Sequence, residues 1–400
     1  MRAFEDRSVA VDALRGAAAL AVMATHLPRP AAAPFAPTWW ATLPLQFGYL
    51  GVILFLVLSG YCIHFRNAQA LGARRLTDVN WRDFFRRRVL RLYPAYLAAL
   101  VITAVFSVAA LRAARAQQIA GDLVSHLTFS HNLMRDYCLG WFNVALWTVG
   151  LEFQLYLLYP VYLAARRRWP AGRVLMIAAS ISGIWLFGTT ATSIAIFRAT
   201  GTPVDQQSIG PIGRWGFWPI GYWFAWVLGA VAAEYAVGAA PALSRLFHWK
   251  TIVVAACLAF IISDRTLWMV IKQSPIVGWT GGRYIKDLSR CIGALTDPIF
   301  AVACAAIIIN FTRWRISQRW FAPLSTIGVA SYSLCLTHVP MIDVVSRYWS
   351  GPPTVGKSLL ISAVCIGLGF LCYRLVEGPC LRALRRPRAA VPATALRRAA

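Results

Sequence analysis

Apolar residues run along this chain in blocks of about twenty, the length a helix needs to cross a hydrocarbon core. Charge, proline and glycine collect between the blocks. The pattern predicts ten helical spans: Val9–Leu27, Leu45–Phe65, Val89–Leu111, Phe142–Ala165, Val174–Ala195, Trp215–Val237, Thr251–Val270, Cys291–Phe311, Leu324–Val344 and Ser358–Val376. The predicted fold is therefore an all-α integral membrane protein of about ten transmembrane helices. The seventh span is the weakest, because Asp264 and Arg265 interrupt it. Residues 1–380 read as one polytopic domain and 381–400 as a basic tail. No repeat is visible, and no appended soluble domain is expected.

Charge sets the orientation. Arginines cluster between Arg66 and Arg91, at Arg166–Arg168, over Arg313–Arg319 and in the tail from Arg382. With ten spans these clusters share one side with both termini, and the positive-inside rule makes that side the cytoplasm. The remaining connections, 28–44, 112–141, 200–214 and 272–290, are expected to form a shallow outer surface. Their tryptophans, Trp39, Trp40, Trp141 and Trp279, suit either interfacial anchoring or stacking on sugar rings. A net charge of +25 would fit nucleic acid, but only 14% of residues are charged and the basic ones lie in alternate connections, so a nucleic-acid partner is excluded and lipid contact is expected. Nine cysteines include no paired spacing; they read as small core residues, and no metal site is predicted. Asp12 and Arg15 interrupt the first apolar block, which argues for a retained span rather than a signal peptide.

Ionisable groups inside spans are costly and usually face a protein interior or a watery cavity. Arg15 and His26 are eleven residues apart, close to three helical turns, so they share a face about 16 Å apart along the axis. Asp12 lies near the same face. In span four, Glu152 sits mid-membrane, with Thr148, Tyr156 and Tyr159 on its face and Gln154 on the opposite one. Arg15 is its natural partner, and a structural ion pair is as good a reading as a functional carboxylate. Arg88 and Arg91 share a helix face where the chain enters the membrane; such guanidiniums either anchor topology or bind phosphate. Ser331 and His338 share a face in span nine, which makes both candidates for a substrate cavity. Gly51, Ser59 and Gly60 read as helix-packing residues. Glu377 and Arg382 read as a cytoplasmic cap and anchor. His64, His126, His131 and His248 fall near span ends or in connections, without metal-ligand spacing.

The segments VDALRG…THL, GVILFLVLSGY, FFRRRVLRLYP, LWTVGLEFQLYLLYP, SYSLCLTHVP and VEGP occur in that order. Together they resemble the membrane-bound acyltransferase-3 family, whose members O-acylate bacterial surface sugars and some small molecules. The resemblance implies a multi-pass enzyme of the bacterial inner membrane. It implies acyl-CoA, by default acetyl-CoA, as the cytoplasmic donor, and a glycan or lipid-linked sugar as the acceptor. The family's arginine–histidine motif falls on Arg15 and His26, its paired arginines on Arg88 and Arg91, its span-four glutamate on Glu152, and its late histidine on His338. Two departures stand out: Ile53 and Phe153 occupy positions where relatives often carry acids.

A hydroxyl is a weak nucleophile and needs a base, and histidine suits that role at working pH. The expectation is that His26 is the general base, that Arg15 holds Glu152 or stabilises the oxyanion, and that Arg88 and Arg91 grip coenzyme A phosphates. Buried charge on a helical bundle also fits a transporter or a flippase of a lipid-linked sugar, and a small-molecule acceptor fits the same chemistry.

Overall fold

A computed structural model of the chain describes residues 2–28, 48–72, 79–106, 116–134, 143–200, 217–263, 266–267, 283–314, 318–349, 352 and 354–385. The four outer-surface tryptophans, the Asp264–Arg265 pair and the tail beyond residue 385 lie outside the described residues.

Among the described residues all regular structure is helical. The elements are α1 (Arg2–His26), α2 (Leu50–Gly72), α3 (Trp81–Phe106), α4 (Ala116–Leu127), α5 (Trp147–Arg168), α6 (Ala171–Thr200), α7 (Pro219–Ala236), α8 (Trp249–Ile262), α9 (Arg283–Gly293), α10 (Thr296–Arg313), α11 (Gln318–Val329), α12 (Ser331–Tyr348), α13 (Val355–Cys372) and α14 (Gly378–Arg385). By length and composition seven helical segments can cross a membrane, or eight when the bent pair α11–α12 is one span. Large apolar side chains such as Met176, Ile184, Leu359 and Leu375 are exposed on the outside of the bundle, where a lipid environment removes their cost.

Small residues set the two tightest helix pairs. A Cβ on Gly328 of α11 would lie 1.7 Å from the Asp12 carbonyl oxygen of α1, and one on Gly16 would lie 2.1 Å from that of Leu324. Likewise α2 and α7 cross at Gly60 and Gly229, whose added Cβ atoms would each meet a backbone oxygen at 2.0 Å. Such approaches exclude any side chain and are a common way for membrane helices to gain contact area.

Three features depart from the sequence reading. The ninth predicted span is not one rod: α11 and α12 meet at 71° around Ala330. The bend lets α11 lie along α1 at the glycine contact while α12 turns into the bundle. The described part of the connection 112–141, residues 116–134, is not a shallow surface either. Tyr93 donates to the Leu127 carbonyl, Tyr96 Oη donates to the His126 carbonyl at 3.1 Å, and Asn132 exchanges hydrogen bonds with Gln154 at 2.9 and 2.7 Å. Those partners sit in the middle turns of α3 and α5, so the segment re-enters the bundle, a geometry tolerated where protein satisfies the backbone. Finally, α13 passes into a π-helical turn, Tyr373–Glu377, before α14.

A buried polar cluster ties α2, α5 and α7 together. Glu234 is fully buried; it accepts from Tyr162 Oη at 2.7 Å and from Arg166 Nη2 at 2.6 Å, and contacts His64 Nε2 at 3.1 Å. Tyr159 contacts His64 Nδ1 at 3.1 Å and accepts from Asn67. His64 is thus held in the bundle by a carboxylate, although the sequence placed it among span ends.

Candidate active site

Helix α1 packs most closely on α11 and also meets α2 and α12. There a cavity of about 740 Å³ opens, lined by Arg15, His26, Ser59, Arg91, Glu152 and Ser331 among others. That volume lies in the range of roughly 300–1,000 Å³ usual for small-molecule sites. Arg15 and His26 both line the cavity, as the three-turn spacing predicts. The lining also includes Thr25, Thr190, Ser263, Arg290 and Asp297.

Glu152 faces the cavity from α5. Ser59 Oγ donates to Glu152 Oε1 at 3.1 Å, and the Tyr156 hydroxyl donates to the same oxygen. Tyr156 itself is buried and sits behind the carboxylate, outside the cavity lining. The stripe Thr148, Glu152, Tyr156, Tyr159 is realised, while Gln154 on the other face holds the re-entrant segment through the Phe129 carbonyl and Asn132. The expected Arg15–Glu152 ion pair is not formed. Arg15 pairs with Asp12, Nη1 to Oδ1 at 3.4 Å, and its Nη2 reaches Cys62 Sγ at 3.6 Å. The cations whose fields act on Glu152 are Arg88 and Arg91.

The arginine run of α3 divides by helix face. Arg86 pairs with Asp83 at 3.0 Å, and Arg87 pairs with the same carboxylate. Arg88 and Arg91 turn inward instead. Arg91 lines the cavity. The Arg88 guanidinium lies 5.3 Å above the Phe84 ring and 5.7 Å above that of Tyr156, and its Nε is buried without a hydrogen-bond partner among the described residues.

His338 and Ser331 separate. Ser331, at the start of α12, lines the cavity. His338 is fully buried and touches the cavity only through His26: its Nε2 lies 3.3 Å from His26 Nδ1, with ring centroids 5.0 Å apart. His26 Nδ1 also lies 3.0 Å from the Val22 carbonyl oxygen and 3.3 Å from Thr25 Oγ1.

Two site residues escaped the sequence. Ser59 was read as a packing residue but is a donor to Glu152; a serine between leucine and glycine carries no signal that separates the two roles. Glu377 is not an exposed cap. It is 4% exposed, it accepts from Ser333 Oγ at 2.6 Å, and Arg91 and Arg15 are the cations that act on it. The π-turn rotates it inward, a displacement that regular helical spacing does not anticipate. Among the described residues no group of histidine, cysteine and carboxylate side chains is placed to hold a metal.

Comparison with known proteins bears on this arrangement. Residues 8–374 match the family model described as an acyltransferase domain, of the acyltransferase-3 family. "Peptidoglycan O-acetyltransferase OatA" of Listeria monocytogenes serovar 1/2a is 25% identical over 389 residues, covering 92% of this chain and 55% of that protein. "Putative peptidoglycan O-acetyltransferase YrhL" of Bacillus subtilis (strain 168) is 26% identical over 396 residues, covering 92% and 54%. The chain thus spans about half the length of the curated relatives it matches. No solved structure matches. With the family model covering nearly its whole length and helices long and apolar enough to cross a membrane, the chain belongs to the acyltransferase-3 family of membrane acyltransferases.

Proposed function

We propose that this protein transfers an acetyl group from acetyl-CoA to a hydroxyl of a cell-envelope glycan, with His26 as general base. The observation that carries the reading is the cavity that Arg91, Glu152 and His26 line together. The bundle is read as about ten crossings of the bacterial inner membrane, with both termini and the arginine-rich connections in the cytoplasm. His26, at the far end of α1, then opens toward the outer face, and the α3 arginines toward the inner one. Peptidoglycan, named for two of the relatives, is the first acceptor to test.

The donor enters this reading as a substrate. A thioester with a phosphate-bearing, elongated carrier fits a cavity lined by the Arg91 guanidinium, with Arg88 one turn away on the same helix. Arg88 and Arg91 hold the phosphate-bearing part. Glu152 is fixed by Ser59 and Tyr156 and lies within electrostatic reach of Arg91. His26 accepts the acceptor's hydroxyl proton as its oxygen attacks the thioester carbonyl carbon. Arg15 faces the cavity and stabilises the oxyanion of the tetrahedral intermediate. As the carbon–sulfur bond breaks, His26 returns the proton to the departing thiolate, leaving an ester and a free thiol. Other polar groups of the lining, Asp297 and Arg290 among them, bind the sugar's other hydroxyls.

The test is acetyl-ester analysis of peptidoglycan and other envelope glycans from cells with the wild-type chain, with His26→Ala at matched protein level, and with the gene deleted. The reading expects esters only with wild type. Esters that persist with His26→Ala overturn the base assignment. A deletion that alters no glycan ester overturns the glycan acceptor and brings a small-molecule acceptor or transport forward.

A further inference from the structure

His338 has no contact with the cavity, yet it is fully buried against the one imidazole that has. Its hydrogen bonds fix where its proton sits. His338 Nδ1 lies 2.9 Å from the Cys335 carbonyl oxygen and 3.2 Å from that of Leu334. A carbonyl oxygen can only accept, so Nδ1 must carry the hydrogen. In a neutral ring Nε2 is then a lone pair. That lone pair points at His26 Nδ1, 3.3 Å away. An acceptor there requires a donor in return, so the His26 hydrogen also belongs on Nδ1. The Val22 carbonyl oxygen, 3.0 Å from the same atom, demands the same. Two acceptors from two different helices, α1 and α12, therefore select one tautomer of His26.

We infer that His338 is a positioning residue for the reaction: it holds His26 in the Nδ1–H tautomer, so that Nε2 is the basic nitrogen presented for proton transfer. This rests on the proposed role of His26 as base. The role is the one a buried carboxylate plays in hydrolytic triads, where it orients an imidazole and fixes its tautomer. Here a neutral histidine does it, locked in turn by two carbonyls of its own helix. The arrangement also assists the next step. When His26 gains a proton, Nδ1–H becomes a stronger donor, and the His338 lone pair is already aligned to receive it.

The inference is tested on full-length protein in lipid bilayers by two readouts. The first is the nitrogen-15 spectrum of imidazole-labelled protein, assigned to His26 by its loss in His26→Ala. Wild type is expected to show protonated Nδ1 and unprotonated Nε2 at neutral pH, and His338→Leu a mixture of both tautomers. The second is acetyl transfer from acetyl-CoA to peptidoglycan fragments. His338→Leu is expected to lower kcat by about 10²- to 10⁴-fold, the scale of a lost tautomer, with the acceptor KM within about twofold of wild type. His338→Gln, whose amide oxygen can accept from Nδ1–H, is expected to recover at least about tenfold of that loss. An unprotonated Nδ1 in wild type overturns the inference, as does a His338→Leu variant with wild-type kcat. A rise in KM without a fall in kcat makes His338 a packing residue and overturns it too. Full activity in His26→Ala would instead remove the base reading, and the tautomer spectrum still decides the His338 arrangement independently.

Discussion

At the scale of single residues, the site is a chain of donors that each fix one acceptor. Glu152 takes two hydrogen bonds on one oxygen, from Ser59 and Tyr156, and sits in the fields of Arg88 and Arg91. Glu152→Gln keeps the shape but removes the negative charge within electrostatic reach of Arg88 and Arg91. The expected outcome is a fall in kcat/KM of about 10²-fold or more. Tyr156→Phe removes one donor to a charged acceptor, about 1.5–3 kcal/mol, and should cost less than Glu152→Gln. Steady-state kinetics of both variants check the order; the reverse order would mean that the tyrosine, not the carboxylate, carries the site. Glu152 was legible in the sequence because a lone carboxylate in an apolar span has few bland explanations. Its partner was not. Arg15 was the nearest guanidinium by pattern, yet Asp12, one turn away on the same helix, pairs with it, and the hydrogen-bond partners of Glu152 are Ser59 of α2 and Tyr156 of its own helix. Spacing on one helix ranks local partners well and says nothing about which helix comes to rest opposite.

Elements show the same limit. The apolar blocks predicted where helices lie, and those blocks that fall within the described residues contain helix. What they missed are the places where backbone leaves ideal geometry: the 71° bend at Ala330, the re-entrant segment and the π-turn. Each answers to a tertiary contact. The bend follows from the glycine-to-backbone contact between α1 and α11, which makes Gly328→Val a sharp test. A side chain there would strike the Asp12 carbonyl, so α11 must leave α1. The prediction is loss of the monodisperse peak in detergent, read by fluorescence-detected size exclusion; a variant that behaves as wild type would contradict the packing. The re-entrant segment is held by the paired amides of Asn132 and Gln154. Asn132→Leu strands the buried glutamine amide and should cost about 1–3 kcal/mol, seen as a lower Tm in lipid nanodiscs. An unchanged Tm would mean that the pairing does not hold the segment.

Over the whole molecule, two polar centres lie in one bundle and do different work. The Glu234 cluster joins α2, α5 and α7 away from the cavity and is a structural clamp. Because Glu234 is fully buried, Arg166→Met leaves an uncompensated charge and should cost about 3–5 kcal/mol, while kcat of the folded fraction stays near wild type. A large loss of kcat in correctly folded protein would show that the clamp belongs to the site. The cavity is the other centre, and Arg91 of α3 and His26 of α1 both line it. In the proposed reading, donor and acceptor reach it from opposite faces of the membrane. The most direct measurement seals radiolabelled acetyl-CoA inside proteoliposomes and supplies peptidoglycan fragments only outside, with the protein sorted so that the Arg168 end faces the lumen. The account predicts labelled acetyl ester on the external fragments with wild type, and none with His26→Ala. Transfer that occurs only when donor and acceptor share one compartment would contradict it.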